Sequence, residues 1–156
     1  MFIRFITLLW QTIRTFLSKL SNENLSAADN IAVAQLLHRL MSFERIAKHA
    51  QGLVKLAEEG KDERLEYSDI DAGMLNKLFE ITLGCYDDAI TALETGDKEI
   101  AERAINAIEQ IEAKRQEYKT KHMERVSANA RSGVIFSEAL RCMARIAANL
   151  RSIVEQ

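Results

Sequence analysis

The side chains able to do acid–base, nucleophilic or metal chemistry are few and scattered. There are three histidines, His38, His49 and His122, and two cysteines, Cys85 and Cys142. Nucleophilic catalysis needs a nucleophile, a base within hydrogen-bond reach and a third group that orients the base. No Ser/His/Asp or Cys/His set is spaced to provide one. A carboxylate di-iron site in a helical bundle is built from Glu-x-x-His pairs, and none occurs; no glycine-rich phosphate loop occurs either. We therefore assign no catalytic, cofactor-binding or metal-ligating residue, expect no cofactor, and read the chain as a non-enzyme. The histidines fall on polar or boundary positions of helical patterns, where surface or hydrogen-bonded roles are expected. The two cysteines are too few for a disulfide framework and match no metal spacing, so each is expected to be a small buried apolar residue in a reducing compartment.

The elements that position these residues are helices. The 156 residues include no proline and only six glycines, and 47% are hydrophobic, so long helices can run without their usual interruptions. The fold class expected is all-α, one domain over residues 1–156, an antiparallel bundle of about five helices. With 21 basic and 23 acidic residues the formal charge is −2, which gives no field suited to nucleic acid.

Residues 1–20 place Phe2, Phe5, Ile6, Leu9, Ile13, Phe16, Leu17 and Leu20 on one helical face. Arg4, Gln11 and Arg14 interrupt the stretch too often for a membrane span, and no small-residue cleavage site marks a signal peptide. The preferred reading is a core helix; the alternative is an interfacial helix with Trp10 and its cationic flank at a membrane surface. Ser26 with Asp29 has the form of a capping box, and the helix after it carries Val33, Leu36, Leu37, Leu40, Phe43, Ile46, Ala47, Ala50, Leu53 and Val54, stopping at the charged residues 58–63 around Gly60. Ser68 with Asp71 repeats the start signal. Met74, Leu75, Leu78, Phe79, Leu83, Tyr86, Ala89, Ile90 and Leu93 then lead to a stop at Gly96, with Gly84 inside as a close-approach point or a tolerated interruption. Asp97 caps a fourth helix striped by Ile100, Ala104, Ile108, Ile111, Arg115 and Tyr118. This helix is expected to end near residues 128–133, and a fifth begins by Ile135 with the cleanest stripe, Phe136, Ala139, Leu140, Met143, Ile146, Ala147, Leu150, Ile153 and Val154.

Residues 36–56 and 136–154 echo each other, each centred on Arg-Ile-Ala, at Arg45-Ile46-Ala47 and Arg145-Ile146-Ala147. The first copy, Ser42-Phe43-Glu44-Arg45-Ile46-Ala47-Lys48-His49-Ala50, resembles the Leu-Glu-Arg-Ile-Gly-Asp-His-Ala signature that ends each three-helix repeat of PhoU-like proteins. The second, residues 142–150, is similar in more degenerate form. Tyr86 to Leu93 before Gly96-Asp97 resembles the first-helix ending of such a repeat. Residues 118–126 followed by Gly133-Val134-Ile135-Phe136 are close to the version in the cytoplasmic tails of sodium-dependent phosphate cotransporters.

The resemblance implies a helical bundle of three-helix repeats, complete over residues 67–156 and truncated over residues 1–60. It implies a cytoplasmic regulatory or accessory module of phosphate uptake at the inner face of the membrane. Such a module acts by helix-face contacts with a membrane phosphate transporter or its signalling proteins; the truncated first repeat would leave apolar surface on the helix from Ala27 to Glu59 uncovered, so homo-oligomerisation or docking on a membrane protein is expected there. The alternative is a helical scaffold or oligomerisation domain without a phosphate role. In the family signature a Glu and an Asp four residues apart resemble metal ligands. Here Glu44 is kept, but Lys48 stands at the second position, and Ala144 and Ala148 replace both acids of the second copy. A helix-four acid corresponds to Glu109 or Glu112. A cation at Lys48 is electrostatically wrong for a metal cluster, so no bound metal is expected.

Overall fold

The computed structural model describes the backbone of residues 2–125 and 130–155, with side chains from Thr7 onward except those of residues 126–130. Among the described residues five helices follow in order: α1 (Phe2–Leu20), α2 (Ala27–Asp62), α3 (Asp69–Thr95), α4 (Lys98–Arg125) and α5 (Ala130–Val154). No strand occurs among the described residues, and the all-α class holds.

The start signals work chemically as read. Ser26 Oγ accepts the Asp29 amide at 3.1 Å and donates to Asp29 Oδ2 at 2.6 Å; Ser68 and Asp71 make the same pair of bonds at 3.1 and 2.8 Å. Each pair satisfies one of the amides a helix start leaves open. Asp97 Oδ1 accepts the amides of Glu99 and Ile100 at 2.8 and 3.2 Å and starts α4. Gly96 ends α3 with φ +69°, a left-handed conformation that an L side chain rarely adopts, and its amide donates to the Ala92 carbonyl.

Two boundaries fall within the expected ranges and sharpen them. Helix α2 runs through Gly60 to Asp62 and is capped at Glu63, because a lone glycine costs about 1 kcal/mol and does not break a helix whose neighbours favour it. Helix α5 begins at Ala130, before Ile135, so Gly133 is helical. The expected α4 ending near residues 128–133 falls partly on residues 126–129, outside the described residues; the described part of α4 stops at Arg125. A Cβ added at Gly84 would meet nothing within 4 Å, so that glycine is a tolerated interruption.

Helix α5 is the hub. Among the described residues it packs on α2, α3 and α4, α3 and α4 pack on each other, and α1 packs on α2 alone. The core holds the α5 stripe Phe136, Leu140, Met143, Ile146, Ala147, Leu150 and Ile153 against Leu78 and Cys85 of α3 and Ala104, Ile108 and Ile111 of α4. The α2–α5 pair is antiparallel. Arg131, at the start of α5, pairs with Glu59 and Glu63 at the end of α2, at 3.1 and 2.9 Å, and a Cβ at Gly52 would sit 3.4 Å from Cys142 Sγ.

Expectations about burial need correction on α1 and α3. In α1 only Leu17 is buried among the described side chains, and Leu8, Leu9, Ile13 and Phe16 are exposed, so this helix is not a core element. Along α2 only Val33 and Ile46 of the stripe are buried, since among the described residues that helix packs on α1 and α5 alone, which is the uncovered apolar surface expected of a truncated first repeat. On α3, Phe79, Leu83 and Tyr86 are exposed, and the buried line is Met74, Leu78, Thr82, Cys85, Ala89 and Ala92. The apolar arc of α3 is wider than the arc that α4 and α5 cover.

The cysteines separate by environment. Cys85 is buried and donates to the Ala104 carbonyl at 3.6 Å, and burial, with Asp88 nearby, pushes its thiol up to about 12. Cys142 is half-buried, not buried as expected. In native buffer a thiol reagent should therefore modify at most Cys142, and both thiols once denaturant is added; rapid native labelling of two thiols would contradict this packing.

Candidate functional site

The signature positions do not assemble a cation site. Glu44 is ion-paired to Lys48 at 2.6 Å within α2, which places an ammonium where a second carboxylate would be needed. Glu112 pairs with Arg115 at 2.5 Å and Glu109 with Arg151 at 3.6 Å. Ala144 and Ala148 offer no donor atoms, and no three His, Cys, Asp or Glu side chains converge among the described residues. These residues do not fit a metal cluster of hard-cation type. Removing the pair between half-buried Glu44 and exposed Lys48 with Glu44→Gln should change stability by no more than about 1 kcal/mol, measured by denaturant unfolding.

At the α2–α5 seam an imidazole of the first copy lies instead beside two guanidinium groups of α5. His49 lies near Arg145 and Arg141; burial and then these two guanidinium groups hold its imidazole below its ordinary value. Arg145→Gln should raise the His49 titration midpoint toward that value, read by NMR of the ring protons; an unchanged midpoint would contradict the proximity.

His122 departs most from the sequence reading. It is 3% exposed, lies between α3 and α5, and stacks on Phe136 with ring centroids 4.1 Å apart. Its Nδ1 is 3.2 Å from Asp71 Oδ1, which also accepts from Arg125 Nη2 at 2.5 Å, while Ser68 Oγ donates to Asp71 Oδ2. Gly133 makes room for the ring: a Cβ there would stand 3.3 Å from Nε2. Burial alone would raise the Asp71 carboxyl, but the bonds from Arg125, Ser68 and His122 outweigh it and hold it below the usual carboxylate range. The signal was present in the α4 stripe, since Ala104, Ile108, Ile111, Arg115 and Tyr118 extend by one further turn to His122. The cluster ties the start of α3 to the end of α4 and to α5, which is a structural role.

The surface feature with the form of a binding site is apolar. Between α2 and α3, with Ile146 of α5 at its floor, runs a groove of about 580 Å³. Phe43, Ala47, Ala50 and Val54 form one wall, and Phe79, Leu83 and Tyr86 the other. Val54 is 58% exposed, Leu83 49% and Phe79 47%, too much clustered apolar area for side chains that merely missed the core. Its geometry suits an amphipathic helix laid lengthwise, with anchors at helical spacing on both sides.

The helices that supply the α3 wall and the α5 floor are also those that carry the family pattern. The PhoU domain model matches residues 75–156. The chain belongs to the PhoU family. No curated protein and no solved structure matches it. The PhoU family is a regulatory, non-enzymatic family associated with phosphate homeostasis. The PhoU match covers most of α3 and all of α4 and α5, leaving α1 and most of the α2 wall outside it. None of the described helices is long and apolar enough to cross a membrane.

Proposed function

We propose that this chain is a non-enzymatic regulatory or accessory module of phosphate uptake, acting from the cytoplasmic face of the membrane by helix-face contact with a phosphate transporter or its signalling proteins. The observation that carries the reading is the PhoU match over the helices that line two sides of an exposed apolar groove. A module without convergent catalytic groups acts through what it touches, and this groove is where an amphipathic segment finds the most apolar surface. Residues 67–156 serve as a complete repeat, and residues 1–60 as part of a further one whose signature helix is α2. The likeness of residues 118–136 to cotransporter tails favours a sodium-dependent phosphate cotransporter as the membrane partner. A second reading, a helical scaffold or oligomerisation domain, draws on the exposed apolar face of α1.

Labelled-phosphate uptake tests the regulatory reading. In cells that naturally make this chain, deleting it should alter the uptake rate or its response to external phosphate, with wild type restoring the response and Leu83→Asp failing to do so. Identical uptake with and without the chain would reject the phosphate role in favour of the scaffold.

A further inference from the structure

We propose that the groove between α2 and α3 is the docking site for α1 of a second copy, so that two chains associate through reciprocal helix-in-groove contacts. The inference rests on reading the groove as a helix-docking surface and does not depend on the phosphate role.

Two surfaces in one chain lack partners and match in chemistry. Helix α1 rests on its own α2 through Leu17 and turns Leu9, Ile13 and Phe16 to solvent, Phe16 at 64% exposure. These three residues stand at the i, i+4, i+7 spacing by which amphipathic helices anchor in grooves. The α3 wall answers with Phe79, Leu83 and Tyr86 at the same spacing. Each row spans seven residues, about 10 Å along a helix axis at 1.5 Å per residue.

Charge selects the occupant. Helix α1 contains Arg4, Arg14 and Lys19 and no acidic residue. Lys19 is three residues from Phe16 and so stands beside the exposed row. Helix α3 contains Asp69, Asp71, Glu80, Asp87, Asp88 and Glu94 against a single cation, Lys77. Glu80, Asp87 and Glu94 recur every seven residues and are all exposed, forming a line along the outer rim of the groove next to Leu83. The α3 rim of this apolar groove is acidic, while Lys48 and Lys55 lie on the α2 side, so a cationic amphipathic helix such as α1 suits the α3 rim. Two-fold symmetry then uses the pair of surfaces twice, since the row of one copy meets the groove of the other and the converse. The inner face of α1 stays on its own α2, so neither chain unfolds to associate.

Sedimentation of the full chain provides the test. Wild type should form a dimer that weakens as salt is raised, because the Lys19 side faces the acidic rim. Phe16→Asp and Leu83→Asp, both at exposed positions, should keep wild-type circular dichroism and each weaken self-association at least about tenfold. Mixed together, these two variants should form a heterodimer that neither forms alone, since only the mixture restores one intact row facing one intact groove. A wild-type monomer throughout the concentration range, a dimer that survives Phe16→Asp, or a mixture that stays monomeric would each overturn the proposal. So would a monomer whose α1 binds vesicles of anionic lipid, which would assign the row to a membrane surface. Because α1 of a second copy and a transporter segment occupy the same groove by turns, Phe16→Asp leaves the groove intact and vacant, and the transporter contact is tested separately from the dimer.

Discussion

Phe136→Ala is expected to lower unfolding free energy by about 3–5 kcal/mol, the range for truncating a fully buried aromatic. Phe136 has no solvent exposure, sits on the helix that contacts α2, α3 and α4, and stacks on His122. Its loss removes apolar contact at the hub and leaves the buried imidazole without its stacking partner, in a site where the surrounding helices are held by one another. Collapse around the cavity is therefore limited, which places the cost toward the upper part of the range. At about 2–4 °C per kcal/mol for a chain of this size, the thermal midpoint should fall by roughly 6–20 °C. A fall under about 2 °C would mean that α5 is not the centre of the core.

Asp71→Asn should cost about 1.5–3 kcal/mol at neutral pH, the range for hydrogen bonds to a charged group. The substitution keeps the shape but removes the charge that Arg125 and Ser68 bind and that faces His122. Arg125 is a third exposed and regains water, which keeps the cost below that of an ion pair buried on both sides. The pH dependence has a definite sign. A carboxyl whose folded value is depressed contributes stability that is present above its unfolded value and lost as pH falls through its folded value. The wild-type chain should thus lose this contribution on the acid limb, below the usual carboxylate range, and Asp71→Asn should flatten that limb. Parallel acid limbs in the two proteins, measured by urea unfolding from pH 7 downward, would contradict the pairing.

The fold was legible because local signals and periodicity agree. Ser26, Ser68, Asp97 and Gly96 each mark a helix end, and the α5 stripe is buried at Phe136, Leu140, Met143, Ile146, Ala147, Leu150 and Ile153. The α2 wall of the groove was legible, as apolar surface that a truncated first repeat leaves uncovered, but the α3 wall was not. Phe79, Leu83 and Tyr86 have the same spacing as core residues, and periodicity reports an apolar arc without saying how much of it a neighbour covers. The same ambiguity made α1 read as core. His122 was missed for the opposite reason: its polarity suggested surface, while its register with Tyr118 put it inside with Asp71 as its partner. The departures at Lys48, Ala144 and Ala148 were readable residue by residue, because a donor atom is either present in the side chain or absent from it.

The most direct measurement of the central claim, that this PhoU-family chain works through the α2–α3 groove, is co-purification from gently solubilised membranes with three tagged versions. Wild type should recover a phosphate transporter or its signalling partner, Phe16→Asp should recover at least as much of the same protein because its groove is vacant, and Leu83→Asp should lose it. Equal recovery of that protein by Leu83→Asp, or recovery of the wild-type chain alone, would contradict the account.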